Sequence, residues 1–192
     1  MEKLKLISFN DPLLKRAPAL FDFEKENAEE ISERLFIGMR QFGGVGLSAN
    51  QVGLDVRCFV MKTADAGNKT FFNPEITRLS QETELQKEGC LSFPDLFLMI
   101  KRARVIEMKY QDSDGTEHTL ILDGLGARCA QHEIDHLNGL TIYDREFKLT
   151  PLVSEKKYGR NEIITISKGT ETLELKYKKG IPYLTKGWKI NG

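Results

Sequence analysis

The sequence predicts an α+β fold, mostly antiparallel sheets around one central helix, and three observations carry that prediction. Strand-like segments lie both before and after a single strongly patterned helix, which reads His132-Glu133-Ile134-Asp135-His136. A hairpin signal, Asp112-Ser113-Asp114-Gly115, separates two of those segments. No repeated strand–helix–strand alternation calls for parallel crossovers.

Taken in order, residues 23–41 read as a helix, because Ile31, Leu35 and Met39 repeat every four residues and Phe36 widens the stripe. Gly43-Gly44 ends it. The segment Gly44 to Gly53 carries too many glycines for a regular element. Leu54 to Lys62 reads as a strand, and Ala64 to Lys69 as a polar turn. Arg104 to Gln111 and Thr116 to Leu122 flank the hairpin signal. The His-containing helix is expected to begin between Asp123 and Gly126 and to stop at Asn138-Gly139. After Pro151 the texture changes. Glu162 to Ser167 and Thr172 to Tyr177, around Lys168-Gly169, suggest a terminal hairpin. The organisation expected is therefore a catalytic domain over 1–150, with 151–192 as a hairpin-like extension of the same domain.

Bulk properties narrow the function classes. With 192 residues, 40% of them apolar, the chain can bury one substantial core. Its 28 basic and 28 acidic residues cancel, so no bulk charge favours nucleic acid or an anionic membrane, and no nucleic-acid motif is present. The longest obvious apolar run, Leu96 to Ile100, is far shorter than a membrane span. Met1-Glu2-Lys3-Leu4-Lys5-Leu6 lacks the long apolar stretch of a signal peptide. Three cysteines make an odd count without the density of a secreted scaffold, which points to a reducing, cytoplasmic setting.

The chemistry centres on the helix. At about 100° per residue, His132 and His136 sit roughly 40° apart and one turn apart, so both rings can reach one metal ion. Glu133 projects from a neighbouring strip and can act on a metal-bound water without binding the metal. A catalytic site of this kind needs a third ligand. The metzincin extension is followed as far as Gly139, but its last position is Ile142, which cannot ligate. Glu155 and Glu162, candidates for a gluzincin-like ligand, fall in the charged tail. Among the cysteines, Cys58 reads as strand core. Cys129 lies three residues before His132, and Cys90 lies in the non-repetitive Glu88-Gly89-Cys90-Leu91-Ser92. Spacing leaves both open. His118, in the hairpin, reads as an ordinary strand histidine.

Three segments together resolve the choice by resemblance. Gly44-Val45-Gly46-Leu47-Ser48-Ala49-Asn50-Gln51, Glu88-Gly89-Cys90-Leu91-Ser92 and Gln131-His132-Glu133-Ile134-Asp135-His136 resemble, in order, the signature segments of the peptide deformylases. The second and third match fully; the first carries Ser48 where the family usually has alanine. The resemblance covers about residues 1–148. It implies that Cys90, His132 and His136 bind one divalent ion, natively Fe2+, with Ni2+, Co2+ or Zn2+ as substitutes. The ligand set alone would suggest zinc.

The resemblance also implies removal of the formyl group from N-formylmethionyl nascent peptides, with a metal-bound water as nucleophile and Glu133 as general base and then acid. The Gln51 side chain and the Leu91 backbone N–H would face the substrate oxygen, although Gln51 also reads as a loop-stabilising amide. Val45, Gly46 and Gly89 would hold the peptide, and Val45, Leu125 and Cys129 would border a methionine pocket. Glu88 and Arg102 would form a structural salt bridge. Two departures, Gln86 in place of an apolar residue and Phe97 in place of a basic one, bear on side-chain preference. A monomer meeting the ribosome transiently is expected. The common bacterial C-terminal helix is not expected, because this tail reads as a hairpin followed by Ile181 to Trp188. The alternatives are an H-E-x-x-H zinc endopeptidase, which would cleave unformylated internal bonds, and a non-catalytic formyl-peptide-binding relative, which would retain peptide without releasing formate.

Overall fold

In the computed structural model, which describes residues 4–147, 158–184 and 186–191, the first helix starts where a side chain can cap it. The Asn27 side chain accepts the Glu30 N–H (3.0 Å), and Gly43, at φ 73°, closes the other end. Helix α1 therefore spans Ala28–Phe42 instead of beginning at residue 23. The residues just before it form turns, in which the Asp22 carbonyl accepts the Lys25 and Glu26 N–H groups.

The chain divides into two compact units, residues 1–147 and 148–192. In the first, strands β1 (Gly46–Ser48), β2 (Cys58–Thr63), β3 (Gly67–Leu79), β6 (Val105–Gln111) and β7 (Glu117–Asp123) form a five-stranded sheet in the order β1-β2-β3-β6-β7. Strands β4 (Thr83–Cys90) and β5 (Phe93–Ala103) form a separate two-stranded ribbon. Every strand pairing within these sheets is antiparallel. With α1 and a second helix, α2 (Gly124–Leu137), beside them, the fold is α+β.

Strand β2 shows why the sheet is layered. Side chains alternate along a strand, and over Cys58 to Met61 neither face meets water. Phe59 and Met61 pack with Phe71, Met108, Leu122, Ala130 and Ile134 on the side of helix α2 (Gly124–Leu137). Cys58 and Val60 pack with Leu35, Met39, Leu47 and Phe72 on the side of α1. A sheet covered on both faces reads as a continuous apolar run, which is how Cys58 to Met61 appears.

Several expectations need correction. The segment Gly44 to Gly53 is not irregular throughout: it contains β1 and a 3-10 turn over Ala49–Val52 that ends at Gly53, φ 82°. The polar turn expected over 64–69 is shorter, because β3 already starts at Gly67. Glu88 to Ser92 was expected to be non-repetitive, yet Glu88, Gly89 and Cys90 belong to β4. The hairpin β6–β7 and the span of α2 match the sequence reading closely.

The second unit holds the expected hairpin, β8 (Ile163–Lys168) and β9 (Glu171–Lys176), turning at Gly169 with φ 61°. A helix, α3 (Tyr177–Leu184), follows where continued strand or loop was expected, and β10 (Lys189–Ile190) returns to pair with β8. Gly180 lets this helix sit close, since a Cβ there would come within 2.8 Å of Ile164 Cδ1. The change of texture at Pro151 and the residue Glu155 lie outside the described residues.

Packing on the α2 face gives a direct prediction. Phe71 is fully buried, with its ring 4.7 Å from that of Phe59 and 4.8 Å from that of Tyr110. Phe71→Ala should lower unfolding free energy by about 3–5 kcal/mol in urea denaturation. Leu20→Ala, at a position 70% exposed, should change it by less than about 0.5 kcal/mol.

Candidate active site

Helix α2 is buried along almost its whole length, from Gly126 to Leu137 except at His132. Its C-terminal end is fixed from several directions. Arg57 donates to the Leu137 carbonyl (2.6 Å) and to Asn138 Oδ1 (2.9 Å), and Asn50 Nδ2 donates to the His136 carbonyl (2.7 Å). Gly139, at φ 73°, passes so close to the Arg16 backbone that a Cβ would lie 2.7 Å from its nitrogen. The Asn50 bond joins the first glycine-rich segment to the helix.

Strand β4 brings Cys90 to the same place. Its Sγ lies 3.2 Å from His136 Nε2, and the ligand atoms of Cys90, His132 and His136 all lie within 4.8 Å of one another. This is the only such group of three among the described residues. Cys129 is not part of it. Burial, with the nearby Glu133 carboxylate adding to it, pushes the Cys129 thiol well above the ordinary range. Cys58 is core as expected, and burial raises its thiol too.

The donor set fits a divalent cation. His132 Nδ1 is engaged by Glu88 Oε2 (3.2 Å), which leaves Nε2 as the free donor, and His136 presents Nε2 toward the sulfur. Burial holds His136 well below its usual pKa, in the neutral form that ligates. For His132, burial acts downward, but hydrogen bonds to Cys90 and Glu88 raise it to about 10.

Glu88 is the hub behind the cluster. Arg102 donates to both of its oxygens (2.9 and 3.0 Å), and Arg128 and His132 add one contact each. Burial pushes its carboxyl up, yet the His132 and Arg102 hydrogen bonds prevail and hold it at about 2. Arg102 also reaches Asp135 (2.6 Å), which Arg145 grips from the other side (2.6 Å). The Glu88–Arg102 pair is therefore a buried structural bridge. Asp135, Arg128 and Arg145 were missed by sequence reading. Arg128 had a signal, since it precedes His132 by four residues on the same helix face.

Glu133 is 4% exposed, and its Oε2 has no hydrogen-bond partner among the described residues. Burial is the main cause that raises this carboxyl to about 7, near the value an acid–base group needs at neutral pH. Gly46 makes room for it: a Cβ there would fall 2.5 Å from Glu133 Oε1 and 2.7 Å from Cys129 Sγ. Gln51 is pinned from both ends. Its Oε1 accepts from the Ser48 N–H (3.0 Å) and hydroxyl (2.9 Å), so its Nε2 points to Ser92 Oγ (3.1 Å) and Cys90 Sγ (3.7 Å). Gln51 thus braces the loop while also facing the cluster. Ser92 was another omission of the sequence reading.

A cleft of about 730 Å³ joins these groups. Val45, Gly46, Gln51, Gly89, Cys90, Leu91, Leu125, Cys129, His132 and Glu133 all line it, and His136 alone of the expected residues lies behind the wall. Val45 and Leu125 stand at its rim, 51% and 61% exposed. His118 lies elsewhere, bonded to Asp112 (2.6 Å) and stacked on Tyr110. Glu162 belongs to the second unit, where it accepts from the Gly159 N–H.

A helix-borne H-E-x-x-H joined by a strand cysteine at the floor of a cleft defines the class as a hydrolase with a site that could hold a metal ion. Known proteins carry the assignment further. The model of the polypeptide deformylase family matches residues 3–152. Peptide deformylases of Thermotoga petrophila and Thermotoga maritima are 43% and 44% identical over 150 residues, spanning 78% of this chain and 90% of each relative. The crystal structure of the Thermotoga maritima enzyme superposes with a TM-score of 0.72 at 41% identity, covering 77% of this chain and 100% of that one. A class I type b peptide deformylase from Acinetobacter baumannii, solved with Met-Ala-Ser bound, gives 0.71 at 28% identity over 75% of this chain and 98% of that one. The chain belongs to the peptide deformylase family, and it is an enzyme.

The Glu88 hub predicts a coupled loss. Glu88→Ala leaves two buried guanidinium groups and His132 without their shared acceptor. Stability should fall by about 3–5 kcal/mol, and metal affinity, measured by competition with a chelator, by about 10–100-fold.

Proposed function

We propose that the enzyme hydrolyses the formyl group from the N-terminal formylmethionine of newly made polypeptides, releasing formate and a free amine. One observation carries the reading: a buried Glu133 carboxylate, its Oε2 without a hydrogen-bond partner among the described residues and its pKa raised by burial to about 7, lines the same cleft as Cys90 and His132 of the Cys90–His132–His136 cluster. Those three residues would hold one divalent cation, Fe2+ by resemblance to the family, with Ni2+, Co2+ or Zn2+ as replacements. When bound, such an ion would supply Lewis acidity, which makes a water a better nucleophile near neutral pH.

The chain's own residues do the rest. Ionised Glu133 takes a proton at its carboxylate as water attacks the formyl carbon, then returns it to the amide nitrogen, which leaves poorly unless protonated. Gln51 Nε2, held in place by Ser48 and Ser92, donates to the oxygen where negative charge develops, and the Leu91 backbone N–H is proposed as a second donor. Val45, Gly46 and Gly89 would bind the peptide backbone. Val45, Leu125 and Cys129 would receive the methionine side chain. A formyl carbon carries hydrogen where acetyl carries methyl, so close walls at Gly46 and Cys90 favour the smaller group.

The same reading assigns catalysis to residues 1–150 and treats 151–192 as an appended hairpin extension. It sets the enzyme in the cytoplasm of a cell with bacterial-type, formyl-initiating translation, acting as a monomer whose contact with the ribosome is transient. No helix among the described residues is long and apolar enough to cross a membrane.

Glu133→Gln should retain the cation by elemental analysis yet lose formate release from formyl-Met peptides by at least about 10³-fold. Undiminished turnover in that variant would remove Glu133 from the mechanism. Chelation of the wild type should abolish formate release, and added Fe2+ or Ni2+ should restore it under anaerobic conditions.

A further inference from the structure

Beyond the reacting groups, the cleft opens onto one face of the β4–β5 ribbon. The cross-strand pairs Gly89↔Phe97 and Lys87↔Met99 put these positions on a common face, with Leu85 two residues further along. Apolar side chains stand out in water there: Phe97 is 57% exposed and Met99 43%. Phe97 is nevertheless held in place. Its ring lies against the Gly89 backbone, where a Cβ would come within 2.8 Å of Cε1, and Lys87 Nζ stands 5.0 Å from the ring centroid.

The ribbon has one edge to offer. On the β5 side, the Phe147 N–H donates to the Met99 carbonyl (2.8 Å), and Ile100 bridges Glu146. On the β4 side no strand pairs among the described residues, and the consecutive residues from Gln86 to Cys90 line the cleft. An extended peptide leaving the cleft along that edge carries its side chains over alternate faces. On such a path, one of the first two residues after methionine would pass over Gly89, where the Phe97 ring lies.

We propose that Phe97 and Lys87 form a specificity site that selects an aromatic or large aliphatic residue shortly after the formylmethionine and disfavours lysine or arginine. An apolar side chain covers the exposed ring and removes both surfaces from water. A cationic one meets the Lys87 ammonium already placed over that ring. The proposal rests on the deformylase reading given above.

The test compares kcat/KM for formate release from formyl-Met-X-Ala and formyl-Met-Ala-X, with X as Phe, Leu, Ala, Glu or Lys. In the wild type, one of the two positions should favour Phe over Lys by about three- to tenfold, the size of one aromatic contact. The ratio should fall to near one in Phe97→Ala and persist in Phe97→Tyr, which keeps the ring. Lys87→Glu should narrow it by restoring turnover of the lysine peptide. Equal kcat/KM across a series that is turned over well, or a ratio unchanged in Phe97→Ala, overturns this inference and leaves the deformylase reading standing. Absence of formate release from every peptide by the metal-loaded wild type overturns both.

Discussion

A single carboxylate, that of Glu88, holds the candidate centre together. It sits on β4 two residues before Cys90, accepts from Arg102 on β5, and accepts from Arg128 and His132 on α2. Three elements are thus tied to one point. Such a cluster is not a cheap source of stability, because four charged side chains, Glu88, Arg102, Arg128 and Asp135, have been taken out of water. What it supplies is position. The charges cancel only when β4, β5 and α2 stand in this arrangement, so a displaced strand would strand a buried guanidinium.

The remaining supports act around that point. Strand β2 packs on the α1 side with one set of side chains and on the α2 side with the other, which leaves it little freedom to slip its register. Asn50 and Arg57 secure the far end of α2, where the second histidine lies. The first glycine-rich segment contributes Gln51, and its amide orientation follows from the Ser48 N–H, which can only donate. Ser48 differs from the alanine usual in the family, and its hydroxyl adds a second bond to the same amide oxygen.

Much of this was legible in the sequence, for reasons specific to each element. The helical period of 3.6 places His132 and His136 on one face whatever surrounds them. The Asp112 to Gly115 turn, with Gly115 at φ 84°, declares its hairpin. By contrast, β4 reads Thr-Glu-Leu-Gln-Lys-Glu-Gly-Cys, with little apolar alternation, because one face of its ribbon lies in solvent and the other holds charged partners. Strand β3 was hidden by Asn73, at φ 48°, and Pro74, which mark a break in its pairing with β6. Helix α3 contains both Gly180 and Pro182, two residues that argue against a helix, yet close packing on Ile164 makes the glycine useful. The choice between Cys90 and Cys129 could not come from spacing, since it depends on how β4 approaches α2.

Two stretches of the cleft, at Gly46 and Gly89, are bare main chain pressed against neighbours, with no room for even a methyl group. Such surfaces have no side chain that can be trimmed or exchanged. Inherited variation in ligand preference, and escape from any compound that grips those stretches, is therefore channelled to the outer lip, to Val45, Leu125 and the Phe97 ring that covers Gly89.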